Sequence, residues 1–127
     1  MKQLTQEWVE KAEGDFRTAR RELQAERLPN YDAVCFHAQQ CAEKYLKAAL
    51  QEADIAFPKV HSLTLLLDLL LPIEPELEKL RSDLATLTTF AVEVRYPGFS
   101  ADQAVAEEVY GLCEQVTQSI RQRLSLS

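Results

Sequence analysis

The stretch YDAVCFHAQQCAEKYLKAAL, residues 31–50, has apolar residues at every third or fourth position along most of its length. These positions are Val34, Ala38, Cys41, Ala42, Tyr45 and Ala49. Because an α-helix has about 3.6 residues per turn, side chains with this spacing lie on one face. We predict a long helix that begins near Tyr31 and is closed by Asp54 and Phe57-Pro58.

The same spacing predicts two more long helices, one before this stretch in the sequence and one after it. The apolar positions of the first extend over residues 4–23, and Leu28-Pro29-Asn30 ends that helix. The apolar positions of the last extend over residues 105–124. Ser100, followed three residues later by a glutamine, has the form of a capping box. We therefore expect Ser100 to cap the last helix.

Two further helices are predicted between these. A short one follows Ser62, a residue type that caps helix N-termini, and its sequence over residues 63–71 is apolar on nearly all sides. After two prolines, a heptad of apolar residues extends over residues 77–94, a pattern typical of bundle packing. The sequence thus predicts an all-α fold, an antiparallel up-and-down bundle of four long helices plus one short helix, in a single domain over residues 1–127.

Charge and composition narrow the function. The 127 residues include 14 Lys and Arg against 20 Asp and Glu, a formal net charge of −6. Proteins that coat nucleic acid have the opposite balance, so we expect no extended nucleic-acid binding. The N-terminus lacks the apolar core of a signal peptide, and the longest apolar run is far shorter than the ~20 residues that span a bilayer. We expect a soluble, cytoplasmic protein with no membrane association.

No metal site and no cofactor are predicted. Cys35, Cys41 and Cys113 fall on apolar helix faces without a close pair, so we expect buried, reduced thiols rather than zinc ligands. Acidic residues are scattered rather than convergent, and three glycines, at positions 14, 98 and 111, do not make a phosphate-binding loop. Any nucleotide would therefore be held by side chains and one helix terminus.

A row of polar side chains follows a second face of the helix at 31–50. The row consists of His37, Gln40, Lys44, Lys47 and Gln51. These residues recur at steps of three and four, roughly 140° from the centre of the apolar face, so we expect this polar stripe to be exposed. It is either an ordinary solvated face with a Glu43–Lys47 ion pair, or a row of donors suited to an anion or a nucleobase edge.

Two connections offer further candidate residues. Lys59 and His61 precede the short helix, whose N-terminal N–H groups favour anions, although His61 has a structural alternative as a cap. Glu93, Arg95 and Tyr96 end the fourth helix and supply a carboxylate, a bidentate guanidinium and an aromatic ring. Arg95 also has an electrostatic reason to lie near a helix C-terminus, with or without a ligand.

Three motifs occur in a characteristic order and spacing. They are His-Ala-Gln-Gln-x-Ala-Glu-Lys-x-x-Lys at 37–47, Pro-x-x-His-Ser-Leu at 58–63 and Glu-x-Arg-Tyr-Pro at 93–97. Together they resemble HEPN-domain proteins (higher eukaryotes and prokaryotes nucleotide-binding), over about residues 5–123. The resemblance implies a bundle of four or five helices, similar to the C-terminal domain of kanamycin nucleotidyltransferase. It also implies a homodimer and a partner minimal nucleotidyltransferase, with a toxin–antitoxin or defence pair as one setting.

Other HEPN proteins are metal-independent ribonucleases that use an arginine, a polar residue and a histidine. This sequence departs from that pattern, because no histidine stands four to six residues after Arg95, and positions 99–102 are Phe, Ser, Ala and Asp. Acid–base cleavage of RNA needs that histidine. A ribonuclease toxin is therefore disfavoured, unless the bundle brings His37 or His61 to Arg95.

The leading hypothesis is a non-catalytic HEPN module that binds a nucleotide or a partner nucleotidyltransferase. Its predicted binding residues are His37, Gln40, Lys44, Lys47, Lys59, His61, Glu93, Arg95 and Tyr96. The third alternative is a purely structural dimerisation protein. Four apolar residues outside the predicted apolar faces leave room for a subunit interface: Leu46, Leu50, Ile55 and Phe99.

Overall fold

The computed structural model describes residues 1–126, and this part of the chain is helical with no β-strand. Its α-helices are α1 (Gln3–Gln24), α2 (Tyr31–Glu52), α3 (Leu63–Leu70), α4 (Arg81–Glu93) and α5 (Gln103–Arg123). A 3₁₀ helix spans Pro75–Leu80, between α3 and α4. The prediction of an all-α fold with one short helix is confirmed.

The direction of the long helices follows from which residues meet. The short connection over residues 25–30 folds α2 back antiparallel to α1. Between α2 and α5, Cys41 lies beside Thr117, and Tyr45 lies beside Arg121 one turn further along both helices. The helices α2 and α5 are therefore parallel, as the second and fourth long helices of an up-and-down bundle are.

The second helix lies at the centre of the fold, in contact with α1, α3, α4 and α5. Of its 22 residues 13 are buried, which is more than one face of a helix supplies. The largest fully buried side chains are Val34, Tyr45, Leu46, Leu50, Leu63, Leu66, Leu67, Leu70, Leu77, Leu84, Leu87 and Ile120. Most of them join α2 to α3 and α4, so the core is built around α2.

The four apolar residues predicted to leave room for a subunit interface do not lie free on the surface. Leu46 and Leu50 are fully buried in the core, and Ile55 packs against it. Phe99 lies beside Phe90 of α4, with 6.1 Å between the ring centres. For Leu46 and Leu50 the expectation that they are available to a partner is wrong, because the helices that surround α2 cover faces that its sequence periodicity leaves out. Ile55 and Phe99 lie outside α2 and are half-buried.

Two helix starts differ from prediction. The last helix is capped by Asp102, whose Oδ1 accepts the N–H of Val105 at 2.8 Å, and not by Ser100. An aspartate is favoured there because its charge also complements the helix dipole. The predicted fourth helix begins as the 3₁₀ helix, whose start at Pro75 still places Leu77 and Leu80 on one face. The Ser62 cap of α3 is confirmed, since its Oγ accepts a backbone N–H.

The three cysteines are buried and free, as predicted. Cys41 and Cys113 both lie within reach of the Thr117 hydroxyl, at 3.6 and 3.9 Å, inside the contact between α2 and α5. In residues 1–126, no helix is both long enough and apolar enough to cross a membrane.

Candidate functional site

The polar stripe of α2 is not the exposed face that its spacing predicts. Lys47 is buried, and His37 and Lys44 are half-buried. The reason is that α1 packs along α2 and brings polar residues of its own to this side. Since other helices cover α2 from several directions, the angle between the polar stripe and the apolar face does not predict how exposed the stripe is.

Asp15 of α1 joins two residues of the stripe. Nδ1 of His37 lies 2.8 Å from Oδ1 of Asp15, and Nζ of Lys44 lies 2.5 Å from Oδ2. The Asp15 side chain is 11% exposed, so water screens these interactions only in part. Because an ionised carboxylate only accepts hydrogen bonds, Nδ1 of His37 carries a proton, and Nε2 is the nitrogen left for another partner.

A second network surrounds the buried carboxylate of Glu43. Nζ of Lys47 lies 3.1 Å from it, and Nδ1 of His61 lies 3.0 Å from it. Gln39 donates to Glu43 and to the carbonyl oxygen of His61. The Glu43–Lys47 ion pair is the one predicted from their spacing, but both side chains are under a tenth exposed. The network ties the connection before α3 to the middle of α2.

Three other predicted binding residues lie near this network, and their contacts differ: Gln40, Lys59 and His61. Gln40 donates to the side chain of Gln39 at 2.8 Å, which attaches it to the network. Lys59 is exposed. At the N-terminus of α3, Oγ of Ser62 accepts a hydrogen bond from the N–H of Leu65. The His61 ring contacts the Glu43 carboxylate through Nδ1. An anion site at this loop stays a prediction, with Lys59 as its exposed cation.

Arg95 and His37 line one groove, although they are far apart in sequence. We call it the α2–α4 groove, because it lies between the start of α2 and the end of α4, with a volume of about 400 Å³. Its lining consists of Asn30, Asp32, Ala33, Phe36, His37, Val94 and Arg95. The guanidinium of Arg95 lies 5.5 Å from the centre of the Phe36 ring, a cation–π contact.

The ends of the groove are fixed by hydrogen bonds. Oδ1 of Asp32 accepts the N–H of Ala101 at 2.7 Å, which fastens the connection between α4 and α5 to α2. Oδ1 of Asn30 accepts the N–H of Ala33 at 3.0 Å, so the α2 N-terminus is already capped. With that N–H occupied and Asp32 beside it, an anion in the groove would be held by Arg95 rather than by the helix terminus.

Glu93 and Tyr96 flank Arg95 and are both exposed, Tyr96 to 65%. Neither contributes to the lining of the groove. They lie at the point where α4 ends, and the chain then turns at Pro97-Gly98, where Gly98 has a φ of 100° that other residues rarely adopt.

A third polar cluster joins α1, α2 and α5. The Tyr45 hydroxyl donates to Glu13 and accepts from Arg121 at 3.0 Å. Burial and the hydrogen bond to the Glu13 carboxylate raise the pKa of Tyr45, so its hydroxyl stays protonated and remains a donor. This cluster fixes the packing of three helices and lies away from the groove lining.

The structure thus divides the predicted binding residues between separate places. His37 and Arg95 share the groove, Lys44 is linked to His37 through Asp15, and the Glu43 network holds Lys47 and His61. Sequence reasoning missed the roles of Asp15 and Phe36, and it missed the burial of Glu43 and its contact with His61. No periodicity signals them, because they depend on how α1 and α4 pack on α2.

A metal centre is not apparent in the described part of the chain. Among residues 1–126, no three His, Cys, Asp or Glu side chains are grouped in a way that could hold a metal ion. The chemistry of the α2–α4 groove is instead that of a guanidinium, an imidazole and an aromatic ring, which together suit a phosphate attached to a flat ring.

Comparison with known proteins gives a consistent result. A family model described as HEPN domain matches residues 5–123. The crystal structure of TT1696 from Thermus thermophilus is similar with a TM-score of 0.75 and 24% identity, over 93% of this chain and 96% of that one. The crystal structure of ST0689, an archaeal HEPN homologue, is similar with a TM-score of 0.70 and 25% identity, over 97% and 98%. No curated protein matches the chain.

Proposed function

Because the chain belongs to the HEPN family, we propose that it is a non-catalytic module that binds a nucleotide in the α2–α4 groove. The observation that carries this proposal is that Arg95, His37 and Phe36 come from two distant segments and line the same groove. A guanidinium pairs well with phosphate oxygens, and an imidazole Nε2 can hydrogen-bond a ribose hydroxyl or a base.

Each residue has a definite role in this proposal. Arg95 binds phosphate, and Nε2 of His37 bonds to the sugar or base while Asp15 holds the ring in place. Tyr96, exposed beside Arg95, stacks on the base. Lys44 forms an ion pair with Asp15 and so helps to fix the carboxylate that orients the His37 ring. Lys47 is not a ligand here, because its ammonium group is buried against Glu43.

The proposal is tested by following backbone amide shifts while ATP is added, with and without Mg²⁺. We expect saturable shifts in residues 30–37 and 93–96. Arg95→Ala removes the phosphate-binding group and should abolish saturation, whereas Lys79→Ala removes an exposed cation on the 3₁₀ helix, before the start of α4, and should not. Equal affinity for ATP in the wild type and Arg95→Ala would overturn the site, and absence of shifts at millimolar ATP would overturn nucleotide binding.

We propose in addition that the chain forms a homodimer and acts with a partner minimal nucleotidyltransferase, in a toxin–antitoxin or defence pair. Family membership is what supports this part. Light scattering of the purified chain, alone and mixed with such a nucleotidyltransferase, measures both associations. A monomeric mass in both samples at micromolar concentration would contradict it.

A second candidate is metal-independent cleavage of RNA, and one observation favours it. The histidine missing after Arg95 has a counterpart in His37, which lines the same groove and is oriented by Asp15 as a general base would be. Incubation of the protein with RNA in the presence of EDTA tests this candidate. Cleavage that is lost in both Arg95→Ala and His37→Asn would replace the non-catalytic proposal.

A further inference from the structure

The arginines of this chain fall into two groups. Arg81, Arg121 and Arg123 each form ion pairs with carboxylates. The other five are exposed, and in residues 1–126 none of them has a carboxylate oxygen within ion-pair distance. These five are Arg17, Arg20, Arg21, Arg27 and Arg95.

All five lie at one end of the bundle. Arg17, Arg20 and Arg21 are on the last turns of α1, and Arg27 is in the connection to α2. That connection ends at Asn30, which lines the α2–α4 groove together with Arg95. The arginines without a carboxylate partner thus lie at one end of the bundle, four of them between α1 and the connection to α2 and Arg95 in the groove.

Leu28 follows Arg27 in the connection between α1 and α2 and has two unusual properties. Its side chain is 95% exposed, the most exposed large apolar residue among those described. Its φ is 47°, in the left-handed region that favours glycine or asparagine. Folding alone would be served better by a polar residue or glycine at this position. A leucine is therefore explained better by what it contacts outside the chain.

Two nearby carboxylates have partners within the fold, whereas Glu26, next to Arg27, is exposed. Glu22 accepts the backbone N–H of Asn30 at 2.9 Å, and Asp15 is shared by His37 and Lys44. Residues 17–28 carry four arginines against two glutamates, Glu22 and Glu26, which is a local net charge of +2 around one exposed leucine, within a protein whose net charge is −6.

We propose that Leu28 with Arg17, Arg20, Arg21 and Arg27, the arginine–leucine surface, docks a partner protein that presents an apolar pocket bordered by Asp and Glu. Arginine is enriched in protein interfaces, and a leucine among arginines matches an apolar contact with a charged rim. A second copy of this chain does not fit, because a symmetric contact through this surface would bring arginines face to face. A nucleic acid strand offers phosphates for the arginines but no pocket for Leu28.

The test begins with a photo-crosslinking residue, p-benzoylphenylalanine, in place of Gln24, which is exposed on the same end of α1. The same residue in place of Gln118, exposed on α5, is the control. Each protein is irradiated in an extract of the source organism, and the species joined at position 24 but not at 118 is identified. The partner is then purified, and its affinity is measured by calorimetry.

Three variants decide the outcome. Leu28→Asn should bind the partner at least about tenfold more weakly but fold as well as the wild type, because asparagine tolerates a positive φ. Arg20→Glu with Arg21→Glu should weaken binding similarly and reduce its salt dependence, while Lys79→Glu, an exposed cation on the 3₁₀ helix, should not. ATP binding by Leu28→Asn should be unchanged, which separates this surface from the groove.

The proposal is overturned by any of the other results. These are a crosslink only to a second copy of the chain, a crosslink to RNA, no crosslink specific to position 24, or a partner whose affinity is the same for Leu28→Asn and the wild type. A loss of ATP binding in Arg95→Ala together with unchanged partner affinity would support both proposals as separate sites.

Discussion

Glu43 is the residue whose removal should cost the most stability among the polar groups. Its carboxylate is the ion-pair partner of Lys47, whose side chain is only 8% exposed. Glu43→Gln keeps the shape but leaves that ammonium group buried without a counter-charge. We expect the free energy of unfolding to fall by about 3 kcal/mol, measured by urea denaturation.

Glu78→Gln is the matched control for this prediction. Glu78 also pairs with a cation, Arg81, but both side chains are well exposed, so the ion pair adds little. An equal loss of stability in the two variants would mean that burial of the Glu43–Lys47 pair is not what makes it important.

Cys35 supplies a prediction about pH. Burial, assisted by the nearby negative charge of Asp32, raises the pKa of its thiol from 9.0 to about 11. Between these values the folded state keeps a proton that the unfolded state has lost, so stability should fall as pH rises from about 9 to about 11. Cys35→Ala should flatten this decline in the midpoint of urea unfolding. An identical pH profile in the variant would show that Cys35 is not its source.

The start of α5 tests which residue caps a helix. Asp102 accepts the N–H of Val105, whereas Ser100 lies two residues before it and makes no such contact. Asp102→Ala should therefore lower the free energy of unfolding by about 1 kcal/mol, and Ser100→Ala should leave it unchanged. Thermal and urea unfolding of both variants measure this difference. The reverse order of effects would restore the capping box that the sequence suggests.

The central position of α2 makes a prediction for the whole molecule. A helix covered by α1, α3, α4 and α5 opens only when the fold opens, so its amides should exchange with deuterium at the rate of global unfolding. The connection over residues 94–102 should exchange much earlier. Mass spectrometry of peptides from the native protein measures this order. If α1 peptides were protected longer than α2 peptides, the core would not be organised around α2.

Much of this architecture is predictable because helix formation is local. The spacing in 31–50 and the Ser62 cap are properties of neighbouring residues, and both agree with the structure. Predictions about how exposed a helix face is are less accurate, because exposure depends on the neighbouring helices. The stripe on α2 was expected in water, but residues such as Lys47 are buried, because α1 covers that side with polar groups of its own.

In the candidate site too, the chemistry of single residues is predictable from the sequence, whereas their proximity is not. Arg95 and His37 are both identifiable from sequence as groups that could bind a phosphate or a base, since that depends only on their chemistry. Their meeting in one groove is decided by the packing of α4 on α2. In the same way, the sequence gives the charge of each arginine, but it does not predict which arginines lack a neighbouring carboxylate.

The helices of the chain, most of their boundaries and the family to which it belongs can be predicted from local sequence alone. Periodicity, capping residues and prolines act over a few residues, and family motifs are read directly. Which polar groups are buried, which are paired and which meet in a groove depends on how the helices pack. Those properties arise from contacts between segments that are distant in the chain, and the local sequence of a helix does not specify what packs against each of its faces.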